Sequence, residues 1–101
     1  MAATRTIELR TGVPGPRSLE LAERESRAVA RPLRAHLPIY AARAENATIT
    51  DVDGNTLVDF AGGVGVVNVG HAHPEIVEAI AEQAQRFVHT DYTVVPYETY
   101  V

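Results

Sequence analysis

The chain has 101 residues, enough for one domain or part of one, and its 46% apolar and 22% charged residues are typical of a globular protein. Its net charge of −4 disfavours a nucleic-acid partner, because phosphate backbones attract basic surfaces. The absence of cysteine excludes disulfides and thiolate metal sites, and the absence of lysine excludes Schiff-base chemistry by these 101 residues.

The first residues lack the apolar core of a secretory signal, and no window holds the roughly 18 apolar residues of a membrane-spanning helix. We therefore expect a cytoplasmic protein with no membrane partner. Residues 1–17 are predicted to form an extended tail, because Pro14 and Pro16 oppose a helix and favour an extended or turned path.

A helix is predicted over residues 18–31, with Ser18 as its N-cap. Glu20 and Glu23 lie near the positive end of the helix dipole, where carboxylates are favoured. Pro32 is expected to end the helix, because the residue before a proline is biased away from helical geometry.

A β-hairpin is predicted around Asp53-Gly54-Asn55, because Asp-Gly between two β-branched runs is a strong hairpin signal. The sequence from Asp51 to Asn55 also resembles the start of a calcium loop. However, the loop positions that require Gly and Glu hold Thr56 and Gly62. We therefore favour a solvated turn, in which neither aspartate acquires a raised, catalytic pKa.

Residues 61–70, AGGVGVVNVG, are predicted to form a strand because of their valines, although the three central glycines weaken it. The glycines allow a ligand or another strand to approach closely. A phosphate-binding loop is the less favoured alternative. Asn68 stands where the third glycine of that motif belongs, and no helix follows directly.

His71 and His73 allow two interpretations. Alternate residues of a strand point the same way and can share a metal, but no third ligand is evident. We favour His73 as a helix cap and His71 as a buried hydrogen-bonding group. A helix is then predicted from Pro74, because proline suits the first helical position and the apolar residues that follow recur at helical spacing.

The end of the chain contains a loop or short strand over residues 89–96, and residues 96–98 are typical of the opening turn of a further helix. Because natural domains rarely end where a helix begins, we expect the front of a longer protein. Tyr92, Tyr97 and Tyr100 are expected to pack in a core or interface rather than to stack on a cofactor. The pattern alone thus predicts a small α+β unit with no self-contained active site.

Residues 38–101 resemble the N-terminal segment of class III aminotransferases, which are pyridoxal-phosphate enzymes of fold type I. Three stretches carry the resemblance: LPIYAARAENA, DVDGNTLVDFAGGVGVVNVGHAHPEIVEAI and FVHTDYTVVPYETYV. They are most similar to the group that transfers the amino group of 4-aminobutyrate, or a related ω-amino acid, to 2-oxoglutarate. The groups acting on acetylornithine, ornithine or diamines share the same order of motifs and remain alternatives, as does a non-enzymatic interaction module.

The resemblance implies that residues 18–101 form a helix, a small antiparallel three-stranded sheet and a helix. They would pack on a large cofactor-binding domain, close to a second subunit of a homodimer. It also implies pyridoxal phosphate as cofactor, with its binding residues and the catalytic lysine outside these 101 residues. The implied substrates are small amino and keto acids. Val64 and Thr93 fall at substrate-lining positions, Val64 as an apolar wall.

Overall fold

The computed structural model describes residues 6–33 and 35–101, and the chain divides into two compact units, the first ending at His71. The first unit contains helix α1 (Pro16–Ala28) and strands β1 (Ala41–Glu45), β2 (Thr48–Asp51) and β3 (Thr56–Val58). The second unit contains helix α2 (Pro74–Arg86). Short 3₁₀ turns cover Arg31–Leu33 and Glu98–Tyr100. The predicted α+β class is confirmed.

The three strands form one antiparallel sheet in the order β1-β2-β3. Thr50 lies opposite Thr56 across the turn between β2 and β3, which confirms the predicted hairpin. Gly54 has a φ of 84° in this turn, a conformation that glycine adopts without steric cost.

The strand predicted over residues 61–70 is wrong, and the third strand is β1 instead. Gly62–Gly65 form a single helical turn in which all four φ angles lie between 52° and 75°. These positive φ angles make the segment left-handed. It cannot join the sheet, because an extended strand requires strongly negative φ angles. Here the freedom of three glycines outweighs the strand preference of the valines.

Helix α1 begins two residues earlier than predicted, and Ser18 is not its N-cap. The N-cap is Gly15, whose side chain offers no hydrogen-bonding atom, and Pro16 opens the helix. The cap comes from the hairpin, because the Asp53 carboxylate accepts hydrogen bonds from the backbone N–H groups of Arg17 (2.7 Å) and Ser18 (2.9 Å). The Ser18 hydroxyl also donates to Asp53, at 2.6 Å. Free N–H groups in the first turn of the helix are thus satisfied by a residue 35 positions away.

Helix α1 ends at Ala28, three residues before the predicted end, because Val29 already has extended backbone angles. A second side-chain contact joins this helix to the approach to β1. The Tyr40 hydroxyl donates a hydrogen bond to the Glu25 carboxylate, and this bond raises the pKa of Tyr40. Side chains therefore hold α1 both at its N-terminus and in its last turns.

Asp53 is ionised in this cap. Burial by itself raises the pKa of its carboxyl, but the hydrogen bonds from the Ser18 hydroxyl and from the N–H groups of Arg17 and Ser18 outweigh that effect and lower the pKa. A negative charge at this position also suits the positive end of the helix dipole.

The hairpin turn is not solvated as expected, because Asp51 is 2% exposed and Asn55 is 0% exposed. Asp51 accepts hydrogen bonds from the backbone N–H groups of Asp53 (2.9 Å) and Asn55 (2.8 Å), and from the Asn55 side-chain amide (2.9 Å). The Asn55 Oδ1 atom accepts from the backbone N–H groups of Arg10 (2.7 Å) and Thr11 (2.9 Å). Buried polar groups are tolerated here because each has partners.

Residues 6–15 of the predicted tail lie against the hairpin. Glu8 pairs with Thr56 of β3 through two backbone hydrogen bonds of 3.1 and 2.7 Å, so the tail continues the edge of the sheet for one residue pair. Residues 1–5 lie outside the described residues.

In the second unit, helix α2 begins at Pro74 with His73 at the N-cap, as predicted, although the His73 side chain makes no capping hydrogen bond. The three tyrosines pack with Phe87 as an aromatic cluster. Tyr92 and Tyr97 meet edge to face with ring centroids 5.6 Å apart. The expected helical turn near the end of the chain is the 3₁₀ turn Glu98–Tyr100.

Within residues 6–33 and 35–101, no apolar side chain is buried, whereas Ser18, Asp51 and Asn55 are. The first unit is therefore organised by polar contacts rather than by an apolar core of its own. No helix in the described part of the chain is long and apolar enough to span a bilayer.

Gly15→Ala should remove the cap on α1. A Cβ atom at position 15 would lie 2.6 Å from the Cβ and Oδ1 atoms of Asp53, so the carboxylate must leave the helix terminus. We expect the free energy of unfolding to fall by about 1–3 kcal/mol, the usual cost of overpacking. Urea unfolding followed by circular dichroism measures it. The matched control is Gly12→Ala, where the nearest atom lies 4.0 Å away. Equal losses in the two variants would contradict this role of Gly15.

Candidate functional site

The candidate site in the first unit is the glycine loop, residues 60–70, which leaves β3 after Asp59 and returns to the sheet at His71. It carries Val64, one of the two predicted substrate-lining residues. Its shape is set by hydrogen bonds at its two ends.

The start of the glycine loop is held by Asp59. The Oδ1 atom of this residue accepts hydrogen bonds from the backbone N–H groups of Ala61 (2.8 Å) and Gly62 (3.0 Å). The backbone N–H of Asp59 itself donates to the carbonyl of Ala47 at 2.9 Å. A residue fixed to the sheet therefore fixes the entry into the left-handed turn.

The end of the loop is held against Asn46, in the turn between β1 and β2. His71 and Asn46 exchange two backbone hydrogen bonds of 2.8 and 3.0 Å. Gly70 makes this approach possible, because a Cβ atom there would lie 3.0 Å from the Cα and O atoms of Asn46. Its φ of 88° also disfavours any other residue.

The two ends of the loop meet through side chains. The His71 Nε2 atom lies 2.6 Å from the Asp59 Oδ2 atom, and the two side chains are 20% and 6% exposed. His71 is thus the hydrogen-bonding group that the sequence predicted, although it is partly exposed rather than buried. The hydrogen bond from His71, together with those from the N–H groups of Gly62 and Ala61, lowers the pKa of Asp59 against the opposing effect of burial. No three potential metal ligands cluster among the residues that the structure describes.

Val64 lies in the middle of the left-handed turn and points its side chain outward. Its φ and ψ angles are 58° and 59°, a conformation that costs a β-branched residue roughly 1–2 kcal/mol. Its side chain is 90% exposed within this chain, so local packing does not offset that cost. Strained residues of this kind concentrate at functional sites.

Other apolar residues of the glycine loop are exposed as well. Phe60 is 96% exposed, and Val66 and Val69 are also exposed large apolar side chains. The loop therefore presents an apolar surface, which can contact the methylene groups of a ligand but offers no charge to one.

Thr93, the second predicted substrate-lining residue, lies in the second unit in a turn built on Asp91. Its backbone N–H and its hydroxyl both donate to the Asp91 Oδ1 atom, at 3.1 and 2.6 Å. The hydroxyl bond is the main cause of the lowered pKa of Asp91. Thr93 is exposed, and the two hydrogen bonds to Asp91 hold its side chain in one orientation. The structure places Val64 and Thr93 in different units.

Asp59 has no predicted role in the sequence pattern. The available signal was its position directly before the glycine loop, together with Gly70-His71 at the other end of that loop. Only the return of the chain to Asn46 brings these two ends together.

Comparisons with known proteins agree on one family. The family model described as aminotransferase class-III matches residues 29–101. The chain is 44% identical over 94 residues to a 4-aminobutyrate aminotransferase of Mycobacterium leprae, covering 93% of this chain and 21% of that protein. It is 43% identical over 81 residues to a 5-aminovalerate aminotransferase of Pseudomonas aeruginosa, covering 80% of this chain and 19% of that protein.

A solved structure supports the same relationship. The acetylornithine aminotransferase of Elizabethkingia anophelis superposes with a TM-score of 0.66 at 37% identity, covering 72% of this chain and 18% of that one. The chain thus spans about a fifth of the length of the relatives it matches.

Val64→Gly should stabilise the chain or leave its stability unchanged. Glycine relieves the left-handed strain of roughly 1–2 kcal/mol, which is partly offset by its greater freedom in the unfolded chain, about 0.5–1 kcal/mol. The matched control is Val66→Gly, at an exposed position with an ordinary φ of −94°, which should only destabilise. Urea unfolding of the chain measures both. If Val64→Gly destabilises as much as Val66→Gly, Val64 is not strained.

Proposed function

Because this chain belongs to the class III aminotransferase family, we propose that it is the N-terminal segment of a transaminase that moves the amino group of 4-aminobutyrate, or a related ω-amino acid, to 2-oxoglutarate. The observation that carries this proposal is the 44% identity to the mycobacterial 4-aminobutyrate aminotransferase across 93% of the chain. The relative named for 5-aminovalerate, whose donor is one methylene longer, is nearly as similar. These two relatives support a donor that is an ω-amino acid of four or five carbons.

We propose Val64 and Thr93 as residues that line the substrate pocket of this enzyme. The geometry of Val64 supports this, because an exposed, strained apolar side chain on a glycine turn is free to contact a ligand. The methylene chain of an ω-amino acid needs an apolar wall, and each buried methylene contributes about 0.8 kcal/mol. Thr93 would supply a hydroxyl already oriented by Asp91.

Val64→Ala in the full-length enzyme should lower kcat/KM for the ω-amino donor about five-fold, the equivalent of roughly 1 kcal/mol of lost contact. Glutamate formation from 2-oxoglutarate measures the rate, with 4-aminobutyrate, 5-aminovalerate and acetylornithine compared as donors. The loss should grow from the four-carbon to the five-carbon donor. Val66→Ala is the matched control on the same loop and should leave the kinetics unchanged. A Val64→Ala enzyme with unchanged kinetics and a lowered melting temperature would refute the pocket assignment.

Class III aminotransferases use pyridoxal phosphate, an aldehyde cofactor whose chemistry in these enzymes requires an amine side chain. The 101 residues contain no lysine, so the nine residues of the Lys and Arg class are all arginine. Arginine remains protonated and cannot form the covalent bond to the aldehyde. The residues of this chain therefore do not by themselves fit the cofactor.

The 101-residue chain alone should have no transaminase activity. Incubation with pyridoxal phosphate, borohydride reduction and peptide mass mapping should find no stoichiometric pyridoxyl group on any internal residue. The full-length enzyme is the positive control. Turnover of 4-aminobutyrate by the purified chain would contradict this expectation.

We also propose that the chain packs on the remainder of the enzyme and near a second subunit of a homodimer. The support is the amount of exposed apolar surface, since Ile76, Val77 and Ile80 of α2 are all exposed within this chain. Cytoplasmic location stays a prediction.

A further inference from the structure

The left-handed turn must be held in place by other contacts, because its conformation is costly for Val64 although not for the glycines. Four consecutive residues, Gly62–Gly65, have positive φ, and Val64 is one of them. Strained backbone persists only where the surrounding structure determines it. Packing within the chain does not hold the turn, since Val64 and Phe60 are almost fully exposed.

Asp59 holds the turn. Among the residues that the structure describes, Asp59 is the only side chain that hydrogen-bonds the backbone of the glycine loop, and it does so at the first two N–H groups of the turn. The bonds inside the turn then follow, from the N–H groups of Val64 and Gly65 to the carbonyl of Ala61. If the N–H groups of Ala61 and Gly62 lose Asp59, the entry into the turn is no longer fixed.

The same carboxylate also holds the far end of the loop. Its second oxygen lies 2.6 Å from the Nε2 atom of His71, whose backbone is paired with Asn46. The three hydrogen bonds of Asp59 therefore close an eleven-residue loop, 60–70, from a side chain that is 6% exposed. A compact surface loop with joined ends is a common way to present functional residues.

We propose that Asp59 and His71 are positioning residues of the transaminase, which hold the glycine loop so that Val64 forms the wall against the substrate methylene groups. This inference rests on the function proposed above. Neither residue is proposed to touch the substrate. Asp59 acts through the backbone of Ala61 and Gly62, and His71 acts by fixing the carboxylate and the end of the loop.

The decisive experiment is a double-mutant cycle in the full-length enzyme. Asp59→Ala should lower kcat/KM for the ω-amino donor at least about five-fold, as Val64→Ala does. In the Val64→Ala background the same change should have little further effect, because the wall that Asp59 positions is already absent. The matched control is Asp53→Ala, which removes a carboxylate that holds α1 rather than the loop. The fold-losses in kcat/KM caused by Asp53→Ala and Val64→Ala should multiply in the double variant.

Conservative variants keep the test valid if Asp59→Ala fails to fold. In Asp59→Asn, Oδ1 can still accept from the N–H groups of Ala61 and Gly62, while the amide donates toward His71, which must then present an unprotonated Nε2 atom. We expect Asp59→Asn to retain most of the kcat/KM, and the ¹⁵N resonances of His71 in the full-length enzyme to show an Nε2 atom without a proton. His71→Ala should cause a smaller loss than Asp59→Ala, because the start of the turn keeps its two bonds.

Each result decides one of the two proposals. If the fold-losses in kcat/KM of Asp59→Ala and Val64→Ala multiply in an active double variant, the positioning role is overturned and the proposed function stays intact. Asp59→Asn as damaging as Asp59→Ala would overturn it as well. A full-length wild-type enzyme without transaminase activity would overturn the proposed function, and this inference with it.

Discussion

The first unit depends on aspartate carboxylates that accept hydrogen bonds from backbone N–H groups. Asp53 caps helix α1 from the hairpin turn, and the N–H groups it satisfies belong to a segment 35 or 36 positions earlier in the chain. Helix N-termini always leave several N–H groups free, so an anionic cap meets both a hydrogen-bonding and an electrostatic demand. The short sheet and the helix are joined by this contact rather than by a shared apolar core.

The same chemistry recurs at three points along the hairpin. Asp51 holds the turn itself, Asp53 holds the helix, and Asp59 holds the glycine loop after β3. A carboxylate accepts several bonds at once, so one side chain can fix two segments of backbone. The pKa values of Asp53 and Asp59 are lowered by these bonds, which means that both side chains are charged at neutral pH.

Polar organisation leaves the apolar side chains free for other contacts. Phe60 and Val64 on the glycine loop, and Ile80 on α2, are exposed. Patches of this kind on a folded surface mark binding or interaction sites. The relatives that this chain matches are about five times longer, so these exposed side chains are available for contacts outside the 101 residues.

Local pattern was sufficient where the structure is decided by neighbouring residues. The Asp53-Gly54 turn and the start of α2 at Pro74 follow from the backbone preferences of those residues, and both are as predicted. The motifs from residue 38 onward were also sufficient to identify the family, because they combine many positions in a fixed order.

Tertiary structure alone decided what depends on distant residues. Ser18 has the chemistry of an N-cap, but Asp53 takes that place from the far side of a hairpin, so Ser18 becomes a donor inside the helix. The valines of residues 61–70 favour a strand, but Asp59 and the return of the chain to Asn46 hold that segment in a left-handed turn. Local preferences are worth a few tenths to about 1 kcal/mol per residue. Several hydrogen bonds converging on one carboxylate exceed that, and no local pattern contains them because their donors come from separate parts of the chain.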